Sequence, residues 1–252
     1  MADKVMVVTG GSRGIGAATA RLAAGAGYGI IVNYAGNVAA AEAVCHEIHA
    51  QGGEAIAVRG DVSTPEDVEH IFAAADRMGP LAALVNNAGT IGLASRVEDM
   101  DAARIARTLA INVTGSILCA GAAIRRMSTR HGGKGGVIVN LTSAAAKLGG
   151  AGSYVDYGAS KGAIDTFTIG LALEVAGEGI RVNAVRPGII DTDFHATGGD
   201  ASRANRLGPE VPLGRAGTPD EVAEAILWLA SDAARYTTGA IIPVSGGRAI
   251  TP

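Results

Sequence analysis

Tyr157-Gly-Ala-Ser-Lys161 places a phenol and an ammonium four residues apart, so a helical segment brings both groups to one face. A phenol with an ordinary pKa of about 10 is a poor acid or base at neutral pH, and a fixed cation beside it favours the phenolate. At an effective dielectric of about 20, unit charges roughly 4 Å apart interact by about 4 kcal/mol. One pKa unit is worth about 1.4 kcal/mol, so the spacing predicts a phenol lowered toward neutrality and able to donate a proton near pH 7. Ser143 precedes Tyr157 by fourteen residues and follows an apolar run, where a hydroxyl can support charge growing on a substrate oxygen. Two decoys accompany these residues. Thr142 is a second hydroxyl beside Ser143, and Tyr154 is a second phenol, although the residue four beyond it is Gly158. Asn112 lies in a long helical stretch where asparagine is neutral to unfavourable, which marks it as a residue with a task.

A second group of residues suits a phosphate-bearing ligand. The apolar run Val5–Thr9 leads into Gly10-Gly11-Ser12-Arg13-Gly14-Ile15-Gly16, and a helical pattern follows at once. Glycines there allow positive φ and let backbone N–H groups approach a pyrophosphate at the positive end of a helix. Gly11 and Gly16 have the outer spacing of an ATP-binding loop, but Ala17-Ala18 stand where that loop requires Lys and Ser or Thr.

The elements that must position these residues alternate along the chain. Strands are expected at 5–9, 29–34, 54–59, 83–86, 137–141, 181–185 and 240–244, mostly apolar without a period of two, as in a sheet buried on both faces. Helices are expected at 14–26, 38–51, 65–78, 100–127, 154–176 and 219–230. Gly52-Gly53 is a helix stop, and Thr64-Pro65 and Thr218-Pro219 are helix starts. The alternation predicts an α/β fold: a Rossmann-type doubly wound parallel sheet of about seven strands with helices on both faces. No linker or repeat divides residues 1–252, so one domain is expected. Residues 187–217 show no clear element, and a connection that long is usually functional.

Composition excludes several classes. The 252 residues are 48% hydrophobic and 18% charged, with 37 glycines and a net charge of −3. Without a basic run, nucleic acid is not an expected partner. No stretch of eighteen consecutive apolar residues marks a membrane span, and the apolar start is too short for a signal peptide. Cys45 and Cys119 form no CxxC pair and suit reduced thiols in a cytoplasmic protein. His46 and His49 are three apart, not the four of a zinc-binding HExxH, and fit a polar helix face; no metal is expected.

Together, Thr9-Gly10-xxx-Gly14-Ile15-Gly16, Asn86-Asn87-Ala88-Gly89, Asn112, Ser143, Tyr157-xxx-Lys161 and Pro187-Gly188 resemble the ordered motifs of short-chain dehydrogenases/reductases, over residues 5 to about 247. The ending Val244-Ser245-Gly246-Gly247 and the segment Tyr154–Lys161 look like bacterial 3-oxoacyl reductase-like and glucose dehydrogenase-like members. The resemblance implies a nicotinamide cofactor and interconversion of a carbonyl and an alcohol. Tyr157 would give the proton, Lys161 would lower the Tyr157 pKa and bind the nicotinamide ribose, Ser143 would hold the substrate oxygen, and Asn112 would hold a water leading to bulk. Gly10, Ser12, Arg13, Gly14, Ile15 and Gly16 would surround the pyrophosphate. Asp61 and Val62 would contact adenine; Asn87, Ala88 and Gly89 would border its ribose. Pro187, Gly188, Ile190 and Thr192 would hold the nicotinamide.

An acidic residue after the second strand would bind the ribose hydroxyls of NAD and repel a 2′-phosphate. Asn33-Tyr34-Ala35-Gly36-Asn37 has none there, and Arg13 can pair with the phosphate, so NADP (NADPH) is expected over NAD. Many NADP-using relatives carry a second basic residue where Ala35 stands. Residues 144–153 and 193–212 are the expected substrate determinants, mixing small apolar, Gly, Asp, His and Arg side chains without an aromatic lining; His195 is a candidate substrate contact. They point to a small or medium carbonyl compound. An NAD-dependent sugar or polyol dehydrogenase, a nucleotide-sensing protein without catalysis, and a nucleotide-sugar or methyl-transfer enzyme are the competing readings. By resemblance the chain forms a tetramer or dimer through helices 100–127 and 154–176, with Ile117, Leu118, Phe167 and Leu171 as apolar outer positions.

Overall fold

Successive side chains of a strand point to opposite faces, and here both faces are apolar. In β1 (Val5–Val8), Met6 and Val8 enter one core while Val5 and Val7 enter the other. The computed structural model describes residues 1–249. It continues with α1 (Gly14–Gly25), β2 (Gly29–Tyr34), α2 (Val38–Ala50), β3 (Ala55–Arg59), α3 (Pro65–Met78) and β4 (Leu81–Asn86). After a long connection come α4 (Ala102–Leu109), a π-helical turn (Ala110–Gly115), α5 (Ser116–Met127) and β5 (Gly136–Leu141). The chain then forms α6 (Ala145–Leu148), α7 (Val155–Val175), β6 (Ile180–Pro187), α8 (Phe194–Thr197), α9 (Arg203–Leu207), α10 (Pro219–Ala230) and β7 (Ile241–Val244).

All seven strands are parallel, in the order β3-β2-β1-β4-β5-β6-β7. Helices α1, α2 and α10 cover one face through Ala17, Ala20, Val44, Ile48, Val222 and Ile226. Helices α3, α5 and α7 cover the other through Ile71, Phe72, Cys119, Ala123, Ala172 and Val175. The expected doubly wound fold is therefore the fold observed. The order reverses between β1 and β4, which opens a crevice at the C-terminal ends of the strands.

Local signals explain the ends of the elements. Thr218 caps α10 in a reciprocal capping box with Glu221, and Pro219 supplies the first helical residue. Gly52, at φ +81°, ends α2. Three expectations need correction. The stretch 100–127 is two helices joined by a π turn. Residues 187–217 are not featureless, since they hold α8 and α9. Finally, Leu171 is buried and Leu118 and Phe167 are partly buried against the core, so the outward apolar positions are Ile117, Ile169 and Leu173.

Length and composition do not separate Ala102–Met127 from a membrane span, since an 18-residue window there has a mean hydropathy of 1.3. Part of this stretch packs inward, with Cys119, Ala120, Ala122 and Ala123 buried against the sheet and α3. His46 and His49 lie on the exposed face of α2, where His49 Nε2 bonds Ala55 O at 2.9 Å.

Gly16 is the tightest packing constraint near the crevice. A Cβ there would overlap Gly10 O and lie 2.5 Å from Asn87 Nδ2, so α1 can begin against the loop only without a side chain. A Cβ at Gly25, on the same helix, would meet nothing within 4 Å. Gly16→Ala is expected to destabilise the protein by about 1–3 kcal/mol in denaturant unfolding, while Gly25→Ala stays within about 0.5 kcal/mol of the parent. Equal stability of the two variants would contradict this account of the loop.

Candidate active site

The glycine loop is shaped by bonds from two neighbouring strands. Asn33, at the end of β2, accepts from Gly10 N at 3.2 Å and donates to Gly60 O at 3.0 Å. Asn87, just past β4, donates through Nδ2 to Thr9 O at 2.8 Å and Gly10 O at 2.9 Å. The Thr9 hydroxyl accepts from the N–H groups of Asn87 and Ala88, both at 3.0 Å. Gly10 at φ +61° and Gly14 at φ +53° occupy the left-handed region, which a side chain would strain. The result is a loop with its backbone bared over the start of α1. A nucleotide pyrophosphate fits this cradle on steric and dipolar grounds.

Gly10, Ser12, Arg13, Gly14 and Ile15 line one end of a cleft of about 540 Å³. Tyr34, Ala35, Asp61, Val62, Ala88 and Gly89 line it as well. So do Pro187, Gly188, Ile190 and Thr192, the last of them beside Gly14, and Ser143, Tyr157 and Lys161 line its other end. Asn33 and Asn87 also border the cleft, although their amides are spent on the backbone. Gly16 and Asn112 stand behind the lining residues. Nearly all the residues singled out from the sequence thus converge on one cleft.

At the far end, the Lys161 ammonium donates to Leu141 O at 2.7 Å and sits 5.7 Å from the centre of the Tyr157 ring. The Ser143 hydroxyl accepts from Ala145 N at 3.1 Å and lies beside the Tyr157 phenol, where it favours the phenolate. The decoys are occupied elsewhere: Thr142 Oγ1 donates to Lys161 O at 3.0 Å, and the Tyr154 hydroxyl to Gly198 O at 3.1 Å. Asn112 is fully buried in the π turn. Its Oδ1 accepts from Thr90 N at 2.8 Å, and its Nδ2 donates to Thr90 O and Ser160 Oγ, both at 3.0 Å. π turns of this kind commonly sit at functional sites, and this one replaces the regular helix expected around Asn112.

The electrostatics correct one expectation. Burial pushes the Tyr157 phenol up to about 12, with the nearby Ser143 hydroxyl opposing, rather than down toward neutrality. The ammonium is turned toward Leu141, and burial costs the phenolate more than that cation returns. Burial likewise lowers Lys161 to about 8, with the nearby Asp165 carboxylate opposing. Asp165 is itself paired with Arg186 of β6 at 2.6 Å.

Several contributors were invisible in the sequence. Arg107 pairs with Asp61 at 2.9 Å, and Asp61 also accepts from Ser63 N and Oγ; these bonds outweigh burial and hold its carboxyl below the usual range. Arg104 grips Asp156 with two bonds of 2.9 and 3.1 Å, locking α4 to α7. Phe194 of α8 packs on Tyr157 with ring centres 5.9 Å apart, so the segment does carry an aromatic contact at the site. His195 bonds Ile190 O through Nε2 at 3.0 Å, and burial lowers its pKa. Among the described residues no cluster of three or more metal-ligating side chains occurs.

A parallel sheet with a glycine-cradled crevice at its switch point, and a Ser-Tyr-Lys group beside it, defines a nicotinamide-dependent oxidoreductase fold. The chain belongs to the short-chain dehydrogenase/reductase family: the sequence model described as enoyl-(acyl carrier protein) reductase matches residues 10–249. The chain is 51% identical to the uncharacterized oxidoreductase YgfF of Escherichia coli (strain K12), over 97% of this chain and 99% of that one. It is 40% identical to a 3-oxoacyl-[acyl-carrier-protein] reductase of Synechocystis sp., over 97% and 96%. A blue fluorescent protein from a metagenomic library, solved in complex with NADPH, superposes with a TM-score of 0.88 at 36% identity, covering 98% of each chain.

Removing the Asn87 amide leaves the Thr9 and Gly10 carbonyls without their donor. Asn87→Ala is expected to cost about 1–3 kcal/mol of stability and to shrink the thermal shift produced by NADPH. An unchanged nucleotide-induced shift would show that the loop holds its shape without Asn87.

Proposed function

We propose that the protein is an NADPH-dependent ketoreductase in which Tyr157, Lys161, Ser143 and Asn112 act on a small or medium carbonyl compound. The observation that carries the reading is the meeting of Ser143, Tyr157 and Lys161 in one cleft, with the buried Lys161 ammonium 5.7 Å from the centre of the phenol ring. The bound nicotinamide supplies hydride to the carbonyl carbon. Ser143 Oγ orients the carbonyl oxygen, and the Tyr157 hydroxyl gives its proton to the alkoxide that forms. The Lys161 ammonium steadies the negative charge left on Tyr157. Asn112 forms the wall behind Lys161: a Cβ at Gly89 would lie 3.5 Å from Asn112 Oδ1 and 3.7 Å from Lys161 Nζ. That placement supports a solvent-linked proton supply through this corner. Residues 187–217 act as the substrate loop, with Phe194 laid against Tyr157. The exposed Ile117, Ile169 and Leu173 support assembly through α5 and α7 into a dimer or tetramer, and two buried thiols support a cytoplasmic setting.

NADPH is preferred on charge. Arg13 is exposed at the cleft and, among the described residues, makes no ion pair, while Tyr34-Ala35-Gly36-Asn37 offers no carboxylate. Arg59 hydrogen-bonds Ala35 O at 3.3 Å, which keeps a second guanidinium near the β2 loop. The expected kcat/KM is higher with NADPH than with NADH, and Arg13→Ala lowers that ratio about tenfold. A ratio at or below one for the parent enzyme sinks the cofactor assignment.

Tyr157→Phe is expected to bind NADPH and to lose about 10²–10⁴ of turnover; retained turnover would falsify the proton-donor role, and retained function without any turnover would favour a sensor. The pH dependence has a definite sign. Reduction needs protonated Tyr157, which a phenol at about 12 supplies throughout the neutral range. It also needs the Lys161 ammonium, whose charged form is lost above about 8. Ketone kcat/KM is therefore expected to hold a plateau below pH 8 and fall above it, measured across pH 6 to 10 (an assay window set around that value). A profile rising through that range would contradict the assignment of Lys161.

A further inference from the structure

Arg203 opens α9 at the end of the cleft beyond Tyr157, half-buried and lining it. Its guanidinium carbon lies 5.3 Å from the centre of the Tyr154 ring. Tyr154 is itself buried and pinned by its hydroxyl to Gly198 O, so the platform beneath the guanidinium is fixed. Most other arginines in the molecule have a carboxylate: Arg104 holds Asp156, Arg107 holds Asp61, Arg126 holds Asp76 and Arg186 holds Asp165. The acid nearest in sequence, Asp200, is taken by Arg206 and Ser202. Among the described residues the Arg203 side chain makes neither a hydrogen bond nor an ion pair. His195 beside it turns its Nε2 to Ile190 O and carries no carboxylate to offer. Asp193 stands exposed at the rim and makes no bond to Arg203.

A planar guanidinium set over a pinned aromatic ring has its position restricted, and its fork of donors suits a carboxylate better than a diffuse charge. The same cleft is lined by the apolar side chains of Phe194, Leu148 and Ile91. Asp193 at the rim disfavours a doubly charged phosphate. We propose that the carbonyl substrate is an oxo acid whose carboxylate pairs with Arg203, which makes Arg203 a specificity-determining residue. The inference rests on the ketoreductase reading of the same cleft and adds the class of substrate.

The test compares acetoacetate, levulinate and 4-oxocyclohexanecarboxylate with their methyl esters, using NADPH and NADH with the parent enzyme, Arg203→Gln and Arg203→Lys. The parent is expected to favour the acid of at least one pair about tenfold in kcat/KM, as hydrogen bonding to a charged group allows. Arg203→Gln is expected to erase that acid-to-ester ratio through the KM of the acid, and Arg203→Lys to keep part of it. A parent enzyme that reduces the esters as well as the acids overturns the inference while leaving the ketoreductase reading intact. Equal losses on acid and ester in Arg203→Gln also overturn it, because they mark a structural role. No turnover of any ketone with either nucleotide removes the ketoreductase reading and this inference with it.

Discussion

The buried ammonium of Lys161 is the constraint around which this end of the molecule is organised. A cation held away from water needs hydrogen bonds and a compensating charge, or it loses its proton. Leu141 O, at the end of β5, supplies the bond, and this is possible because α7 runs close along that strand. Asp165, one helical turn beyond Lys161, supplies the charge, and Arg186 on β6 balances Asp165 in turn. Removing one partner of such a buried pair typically costs about 3–5 kcal/mol, so the three charges stand or fall together. The same helix is fixed at two further points, by Asn112 on Ser160 and by Arg104 on Asp156. Helix α7 is thus pinned by polar groups near its N-terminal half, while its C-terminal half packs through Leu171, Ala172 and Val175.

The opposite end of the cleft is governed by close approach. Gly16 lets α1 begin against the glycine loop, and Asn87 and Thr9 tie that loop to the end of β4. Backbone N–H groups can face a pyrophosphate because neighbouring side chains have absorbed the loop's carbonyls. The loop's conformation is therefore held by bonds from β2 and the end of β4. Holding a loop in this way lowers the ordering cost of binding.

The strands were legible because burial on both faces leaves short apolar runs that alternate with helical stretches, and α3 and α10 follow directly from Thr64-Pro65 and Thr218-Pro219. The proposed catalytic pair was legible because Tyr157 and Lys161 are neighbours on one turn of helix, where spacing alone predicts proximity. Arg107 and Asp61, 46 residues apart, meet only once the sheet is assembled, and no local pattern announces such a pair. The π turn at Ala110–Gly115 carries no composition signal, since its residues suit an ordinary helix equally well. The direction of the Tyr157 shift was missed for a related reason. Spacing fixes which charge is nearby, but desolvation depends on everything packed around the phenol, and here desolvation is the larger effect.

The two halves of the site differ in how firmly the fold commits them. The nucleotide side is built from strand ends and buried asparagines whose replacement disturbs the sheet. The segment after β6 has a small cluster of its own in Ile189, Ala204 and Val211, and is joined to the main core by Ile190, by the Ile190–Gly217 bridge and by bonds from Tyr154 and His195 to backbone carbonyls. Most of its side chains lie outside the two main cores, so they can change with less effect on the core than strand residues can. Yet Phe194, His195 and Arg203, the groups that meet whatever lies against Tyr157, all come from it. In the proposed reading, chemistry rests on the sheet and α7, while substrate choice falls to the segment after β6. Such a division would let one Ser-Tyr-Lys group serve different substrates as that segment changes.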